Sequence, residues 1–368
     1  MSTLLLKDVY NVDFYSRFLK YLKAVYPSLN NEQFLEEIFV QDWATLELKQ
    51  RMKLSADVLH RALPYSFKKN TELLKELVYQ MLLSNEKNDS LALMFLADYM
   101  ERYGIDDLPA SIEFMEKLTE LASCEFAVRQ FIIKYPQPMI QQMTAWSTHP
   151  NHHVRRLASE GMRPRLPWAV ALPEFKKNPT AILPILENLK ADPSEYVRKS
   201  VANNLNDISK DNPLVVFNLI KNWKGHSKAT DWIIKHGCRT LLKQGHPDIF
   251  KFYDLKSSDH LLLQNFKLEN HNVKEGSEIQ FSFTIQNNDS ITHELRLEYA
   301  MYYKRQSATL SKKVFKISEK ILQPNESLSV VKKQSFKPIT TRKYYLGTHQ
   351  IGIIINGIEK GVLEFELI

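Results

Sequence analysis

The sequence predicts an all-α helical-repeat domain followed by a small all-β sandwich, and three observations lead to this fold class. Apolar residues recur at helical spacing through the first 255 residues. A short motif that follows a proline occurs twice in this part, 43 residues apart. From about residue 257 apolar and polar residues alternate instead. We therefore expect two domains, 1–256 and 257–368.

The helical part divides into short helices with polar connections. A helix that carries Phe95 and Tyr99 on one face is expected to stop at Gly104. Another is expected to start at Ser123 and to end before Pro136. Helix follows helix in this way, which is typical of an all-α domain.

An internal repeat relates two later helices. The segment Asn151-His-His-Val-Arg-Arg-Leu-Ala after Pro150 is similar to Ser194-Glu-Tyr-Val-Arg-Lys-Ser-Val after Pro193, and a looser copy begins at Trp232. A period near 40 residues predicts an all-α HEAT-like repeat solenoid. The second helices of such a stack line one wall, so a group of basic residues is expected on or near it: Arg155, Arg156, Arg198, Lys199, Lys235 and Arg239.

The C-terminal part is predicted to form a small all-β immunoglobulin-like sandwich of about seven strands. Alternating apolar residues run from Ile279 to Ile285, and turn-type sequences separate the similar runs Leu295–Tyr303, Val314–Ile317, Leu328–Phe336 and Gln350–Ile355. Its surface is expected to be rich in basic residues near Tyr344 and Tyr345: Lys312, Lys313, Lys332, Lys333, Arg342 and Lys343.

Charge is unevenly distributed along the chain, whose formal net charge is +7. Lys and Arg number 14 against 19 Asp and Glu in residues 1–120, 19 against 11 in 121–255, and 16 against 12 in 256–368. An acidic first third beside a basic middle predicts a localised basic face, which is typical of proteins that bind a polyanion.

Several protein classes are disfavoured. The N-terminal residues lack a signal-peptide pattern, no apolar stretch is long enough to span a membrane, and Cys124 and Cys238 are expected to be buried free thiols in a cytoplasmic protein. His149, His152 and His153 lack the spacing of a metal site. Nucleotide-binding, zinc-protease and α/β-hydrolase motifs do not occur. We expect neither a metal nor a cofactor.

The stretch from His149 to Ala169 is the strongest candidate for a functional site. It contains Glu160, Trp168 and four arginines: Arg155, Arg156, Arg163 and Arg165. Ordinary cores rarely need this mixture. A dense cationic surface with a carboxylate and an aromatic ring at its edge indicates a polyanionic ligand on which chemistry is done.

Each candidate also has a simpler interpretation. Glu160 is expected in the last turn of a helix that ends at Gly161, where the helix dipole disfavours a carboxylate, but it could form an ordinary pair with Arg156. Glu125 is expected in a first helical turn, where the dipole alone explains an acidic residue. Trp168 could be a core residue or could stack on a sugar or base.

Two stretches carry a family resemblance: Ser123-Cys-Glu-Phe-Ala-Val-Arg, and Trp146-Ser-Thr-His-Pro-Asn-His-His-Val-Arg-Arg-Leu-Ala-Ser-Glu-Gly together with Arg163-Pro-Arg-Leu-Pro-Trp168. Over roughly residues 1–255 the chain resembles the HEAT-like DNA alkylation repair glycosylases, and the AlkC branch more closely than the sister AlkD branch. The C-terminal sandwich is similar in architecture to the immunoglobulin-like extension of some AlkC members.

This resemblance implies base excision repair of alkylation damage in double-stranded DNA, chiefly removal of 3-methyladenine and 3-methylcytosine, by a monomer. By match to the family motif, Glu125 and Glu160 correspond to acidic catalytic positions, Trp168 to the aromatic residue at the lesion, and Arg156 to an arginine that contacts the DNA backbone. We expect Glu160 to stabilise the sugar cation and Glu125 to orient the water or hold local charge. Deleting residues 257–368 is expected to weaken DNA binding.

Two other functions compete with the glycosylase interpretation. A non-catalytic nucleic-acid-binding scaffold would bind without releasing a base and would be indifferent to Glu160→Gln. A protein-interaction adaptor would hold an acidic protein and would have no affinity for nucleic acid at moderate salt. The arginine-rich turn that ends at Trp168 is more specific than either function requires.

Overall fold

A computed structural model describes residues 5–84, 89–253, 258–307, 309–339 and 342–368. The chain divides into two compact units, Met1–Gly237 and Cys238–Ile368. The expected boundary between residues 256 and 257 lies outside the described residues. Helices precede strands along the chain, which confirms the predicted fold class.

The first unit is built from α-helices with short connections. Their bounds are α1 Val12–Val25, α2 Asn31–Ile38, α3 Leu48–Ala62, α4 Phe67–Leu83, α5 Phe95–Tyr103, α6 Leu108–Leu118, α7 Ala127–Lys134, α8 Pro136–Trp146, α9 His152–Gly161, α10 Pro173–Lys177, α11 Leu183–Leu189, α12 Glu195–Ile208, α13 Pro213–Trp223 and α14 Lys228–Gly237. Short 3₁₀ turns occur at Leu6–Val9, Trp43–Thr45, Ala92–Met94 and Thr180–Ile182. No helix among the described residues is both long enough and apolar enough to cross a membrane.

The repeat motif marks the second helix of successive helical pairs. Helix α8 packs on α9, α11 on α12 and α13 on α14, while α12 packs between α9 and α14. The motif valines Val154 and Val197 are fully buried in these contacts. The side chain of Asn151 caps α9 by accepting a hydrogen bond from the backbone N–H of His153 at 2.8 Å. The predicted HEAT-like stacking is confirmed.

The first arginine of each motif fastens its helix to the preceding turn. Nη1 of Arg155 donates to the carbonyl oxygens of Pro150 and of the residue before it, at 2.8 and 2.9 Å. Nη1 of Arg198 makes the same pair of bonds to Pro193 and the residue before it, at 2.7 and 2.8 Å. Arg155 also forms a bidentate ion pair with the buried Asp192, at 2.6 and 3.1 Å. These donors satisfy turn carbonyls, so they stabilise the repeat.

Gly161 ends α9 where this helix lies against α7 and α8. A Cβ atom at this position would lie 2.7 Å from Cγ1 of Val128 and 3.1 Å from Cε of Met143. Overpacking exceeds the gain in helix propensity, so we expect Gly161→Ala to lower the free energy of unfolding by about 1–2 kcal/mol. Thermal unfolding measures this change, and an unchanged or raised melting temperature would contradict it.

The second unit joins two short helices to two β-sheets. Helices α15 (Arg239–Gln244) and α16 (Pro247–Phe252) precede the strands β1 Leu261–Leu268, β2 Asn272–Val273, β3 Glu278–Asn287, β4 His293–Lys304, β5 Leu310–Leu322, β6 Ser327–Ser335, β7 Gly347–Ile355 and β8 Ile358–Leu367. One sheet has the order β1-β3-β6 and the other β2-β8-β7-β4-β5. Their inner faces share one apolar core that includes Phe281, Phe283, Ile351 and Ile353. The predicted sandwich is confirmed.

The short helices pack closely on the sandwich. Gly245, at φ +70°, ends α15 in the left-handed conformation, and a Cβ atom there would lie 2.9 Å from the carbonyl oxygen of Gly357. Only glycine accommodates both constraints without strain. Helices α15 and α16 therefore belong structurally to the second unit.

Candidate active site

Arg156 lies between the two candidate carboxylates. Its Nη1 donates to Oε2 of Glu125 and, at 2.8 Å, to Oγ of Ser123, while its Nη2 lies 3.5 Å from Oε1 of Glu160. Burial lowers the pKa of Arg156, but the charges of Glu160 and Glu125 outweigh it and raise the pKa above its ordinary value. Glu125 and Glu160, 35 residues apart in sequence, are thus brought to one guanidinium group.

Glu160 is a buried carboxylate whose two oxygens are both held. Oε1 accepts a hydrogen bond from Nη1 of Arg163 at 2.7 Å, and Oε2 accepts one from Oγ of Ser200 at 2.6 Å. Only 5% of the residue is exposed. The expected i,i+4 pair with Arg156 exists, but Arg163 is closer. Two arginines therefore offset the unfavourable position of this charge at the end of α9.

Arg163 extends the network towards α12. Its Nε donates to Oδ2 of Asp207 at 2.8 Å, and Nζ of Lys210 donates to Oδ1 of the same carboxylate at 3.0 Å. Arg163 and Asp207 are both buried. Positive and negative groups alternate from Glu160 to Lys210, so each buried charge has a partner of opposite sign. Such an arrangement fixes the carboxylates in place.

Glu125 is half-buried and offers one oxygen to the site. Helix α7 begins at Ala127 rather than at Ser123, so Glu125 lies in the preceding turn and the expectation of a first-turn position is wrong. Oε2 accepts hydrogen bonds from Ser123, at 2.8 Å, and from Arg156. No described residue donates a hydrogen bond to Oε1. This oxygen can therefore accept one from a water molecule or a substrate.

Trp168 is an exposed aromatic residue in a strained backbone conformation. Its φ angle of +66° lies in the left-handed region, and 65% of the residue is exposed. The core interpretation of this tryptophan is therefore wrong. Its carbonyl oxygen accepts a hydrogen bond from Nζ of Lys49. A strained, exposed aromatic residue is typical of a functional position.

Arg129 anchors the turn that carries Trp168. This fully buried arginine donates to the carbonyl oxygens of Gly161 and Arg163, at 3.0 and 2.7 Å, and its Nε donates to that of Val170. It therefore links α7 to both ends of the turn between Gly161 and Val170. The sequence motif included Arg129, but the sequence alone did not assign it a role.

An acidic pocket of about 220 Å³ borders Trp168. Its apolar walls include Met52, Met94 and Phe126, and its polar groups include Asp98 and Glu101. Burial, reinforced by the charge of Asp98, raises the pKa of Glu101 to about 7. Since Phe126 follows Glu125 in the chain, this pocket adjoins the segment that carries the candidate carboxylate.

The raised pKa of Glu101 predicts a pH-dependent gain in stability from Glu101→Gln. Between the pKa of the unfolded chain and about 7, the folded protein holds a proton on Glu101 that the unfolded chain has lost, so wild-type stability falls as pH rises. We expect the variant to be more stable than wild type at pH 8 by roughly 1–3 kcal/mol, with a smaller gain at pH 5. Urea unfolding at both pH values measures the difference. Equal gains would contradict the prediction.

The remaining predicted DNA-binding residues are all at least partly exposed. Arg165 forms a bidentate pair with Asp211, at 3.1 and 2.6 Å, and Lys199 pairs with Glu195 at 2.7 Å. These pairs are partly or fully exposed, so replacing either of them by a contact with a DNA phosphate costs little free energy. Lys235 is exposed on α14 of the first unit, and Arg239 begins α15 of the second. No group of three or more His, Cys, Asp or Glu side chains in the described segments is arranged to hold a metal ion.

Sequence reasoning did not single out Ser200 and Asp207, although α12 carries a signal for both. Tyr196, Ser200 and Asp207 are four and seven residues apart, which places them on one face of a helix. In a helix otherwise rich in buried apolar residues, this polar stripe indicates a buried polar partner. Its partners here are Glu160 and Arg163.

Two families match this chain. The DNA alkylation repair enzyme family matches residues 56–241, and the family described as the C-terminal Ig-like domain of the uncharacterised protein YhaZ matches residues 262–368. The uncharacterized protein YhaZ of Bacillus subtilis (strain 168) is 39% identical over 362 residues, which cover 98% of this chain and 99% of that protein.

A solved structure is similar over the whole chain. It is the Pseudomonas fluorescens alkylpurine DNA glycosylase AlkC bound to DNA containing an abasic site analog. It matches with 34% identity and a TM-score of 0.93, covering 99% of this chain and 100% of that one. This chain therefore belongs to the DNA alkylation repair enzyme family and, within it, to the AlkC branch of glycosylases, with a C-terminal immunoglobulin-like domain.

Proposed function

We propose that this protein is a DNA glycosylase that hydrolyses the N-glycosidic bond of cationic N3-alkylated bases, 3-methyladenine and 3-methylcytosine, in double-stranded DNA. The observation that carries the proposal is the pair of carboxylates, Glu125 and Glu160, held together by Arg156. The similarity to a glycosylase bound to DNA with an abasic site analog supports it, because an abasic site is what base removal leaves.

The chemistry needs carboxylates and little else. An N3-alkylated base already carries a positive charge, so it leaves as a neutral molecule with the electrons of the broken C1′–N bond and requires no general acid. The sugar becomes a cation that resembles an oxocarbenium ion, and water then adds to C1′. A fixed negative charge lowers the energy of this cation, and a carboxylate can accept the proton of the water.

The two carboxylates suit different parts of this reaction. Glu160 is buried and fully hydrogen-bonded, so its contribution is a fixed charge that stabilises the sugar cation. Glu125 has Oε1 available, so it orients the attacking water and takes its proton. The exposed face of Trp168 packs against the sugar or the cationic nucleotide.

The DNA backbone is contacted by basic residues at the surface. We assign phosphate contacts to Arg165, Lys199, Lys235 and Arg239, whose side chains are exposed or partly exposed. The donors of Arg155, Arg156, Arg163 and Arg198 are directed to carboxylates, turn carbonyls and the Ser123 hydroxyl group within the fold, so these arginines act by holding the site in shape. Each phosphate contact makes the fall of log K, where K is the DNA-binding constant, with log salt concentration steeper by about 0.9.

The proposal is tested with DNA methylated by an alkylating agent that gives both N3 lesions. The bases that the protein releases are separated by chromatography and compared with those released during incubation without protein. Enrichment of 3-methyladenine and 3-methylcytosine supports the proposal. Release of 7-methylguanine alone would contradict the proposed substrate class, and release of no base would favour the scaffold function.

A further inference from the structure

Tyr196 covers one face of the Arg156 guanidinium group. It lies in the first turn of α12, and Cζ of Arg156 is 4.9 Å from the centre of its ring. The tyrosine is 42% exposed, so one side of the ring faces the arginine while part of the side chain reaches solvent. A guanidinium stacked on an aromatic ring gains cation–π attraction and is shielded from water on that face.

Arg156 needs such a cover because hydrogen bonds along the edge of its guanidinium group leave the two flat faces open to competing anions. Its nitrogens serve Glu125, Ser123 and Glu160. A bound DNA duplex would present phosphate groups that compete for the same guanidinium. If Arg156 turned to a phosphate, Oε2 of Glu125 would keep only the hydrogen bond from Ser123, and one donor alone would hold the carboxylate less firmly.

The neighbours of Tyr196 keep the ring in place. The rings of His153 and His152 lie 5.7 and 6.4 Å from that of Tyr196 in edge-on arrangements. Burial, followed by the charges of His152 and Arg156, lowers the pKa of His153 against the opposing charge of Glu120, so this ring is neutral at neutral pH. His153 and Tyr196 are 43 residues apart and occupy equivalent positions of the two repeats. Ring packing between adjacent repeats therefore orients the tyrosine.

We propose that Tyr196 is a positioning residue for base excision, which keeps Arg156 on Glu125 and Glu160 when DNA is bound. The inference rests on the proposed glycosylase function and adds a residue outside the matched motif. The aromatic ring performs this role and the hydroxyl group is dispensable. Loss of the ring should therefore slow the chemical step without weakening DNA binding.

The test compares the full-length wild type with Tyr196→Ala and Tyr196→Phe. Single-turnover base release from a duplex with one 3-methylcytosine gives the rate, and equilibrium binding to an abasic-site duplex gives Kd. Tyr65→Ala is the matched control, because Tyr65 is 40% exposed and has Nζ of Lys69 at 3.9 Å from its ring centre, outside the site. We expect Tyr196→Ala to be about ten-fold slower with Kd changed by less than about two-fold. Tyr196→Phe and Tyr65→Ala should retain the wild-type rate.

Three outcomes overturn the inference. A wild-type rate in Tyr196→Ala would show that Arg156 needs no cover. Equal losses of affinity in Tyr196→Ala and Tyr196→Phe would make the hydroxyl group a DNA ligand instead. A wild type that releases no base would overturn the proposed function and this inference with it, whereas an active wild type with an unaffected Tyr196→Ala overturns the inference alone.

Discussion

Glu160→Gln is expected to slow base release by about 10³-fold while the protein still binds DNA. Glutamine has the shape of glutamate and keeps an acceptor for Ser200, but it removes the buried charge that we propose stabilises the sugar cation. The same change leaves Arg163 with only Asp207 as a close acidic partner. Breaking a buried pair destabilises a protein by about 3–5 kcal/mol, so stability must be measured with activity.

A matched variant separates the loss of charge at the site from the loss of a buried ion pair. Glu298→Gln removes a fully buried carboxylate that accepts a hydrogen bond from Arg296 at 2.7 Å in the second unit. It should reduce stability and retain the wild-type single-turnover rate at a temperature where both variants are folded. Glu125→Gln should slow release by about 10²-fold, because it removes the carboxylate that we propose takes the proton of the water. A larger effect at Glu125 than at Glu160 would reverse the assigned roles.

Removing the second unit is expected to weaken DNA binding by about 10- to 100-fold at 0.1 M salt. Three cations of this unit, Lys243, Lys313 and Arg342, interact electrostatically. Burial, and then the charges of Arg342 and Lys243, lower the pKa of Lys313. Like charges held together are unfavourable in the free protein, and a polyanion would relieve the repulsion. Since α15 and α16 pack with the sandwich, the truncation should follow Gly237 rather than residue 256.

Charge variants of the intact chain distinguish weaker phosphate binding from general damage. Glutamine in place of Lys243, Lys313 and Arg342 together should lower the slope of log K against log salt by about 0.9 for each phosphate that is no longer neutralised. Lys316→Gln is the control, because Lys316 is paired with Glu319 at 3.0 Å on the same sandwich. An unchanged slope in the triple variant, or unchanged affinity after truncation, would contradict a role of the second unit in DNA binding.

Local pattern was sufficient to predict the repeat and much of the sandwich. Helices α9 and α12 follow from a Pro-initiated motif with apolar residues at helical spacing, and β3 follows from strict alternation between Ile279 and Ile285. The prediction omitted β1, β8 and the two-residue β2. A register shift near Asn265 interrupts the alternation of β1, and charged residues obscure the start of β8. The Asn356-Gly357 turn, with φ of +47° and +77°, is a hairpin signal for β8.

The site was predicted as a set of residues but not as an arrangement. The sequence places Glu160 and four arginines in one segment, so it predicts a surface rich in arginine. In the fold, Arg163 reaches Asp207, 44 residues away, and Arg156 reaches Glu125, 31 residues away. Pairing between adjacent repeats depends on how the helices stack, which no local pattern specifies. Tertiary packing thus directs the side chains of Arg156 and Arg163, both expected DNA ligands, to carboxylates within the fold.

The most direct measurement is release of free base from a duplex that carries a single 3-methylcytosine, with wild type and Glu160→Gln compared under single-turnover conditions. We predict that wild type yields free 3-methylcytosine and an equal amount of abasic site, and that the variant binds the same duplex but loses nearly all release. Tight binding by wild type without release of 3-methylcytosine here, or of 3-methyladenine from methylated DNA, would contradict the glycosylase function and make the protein a DNA-binding scaffold.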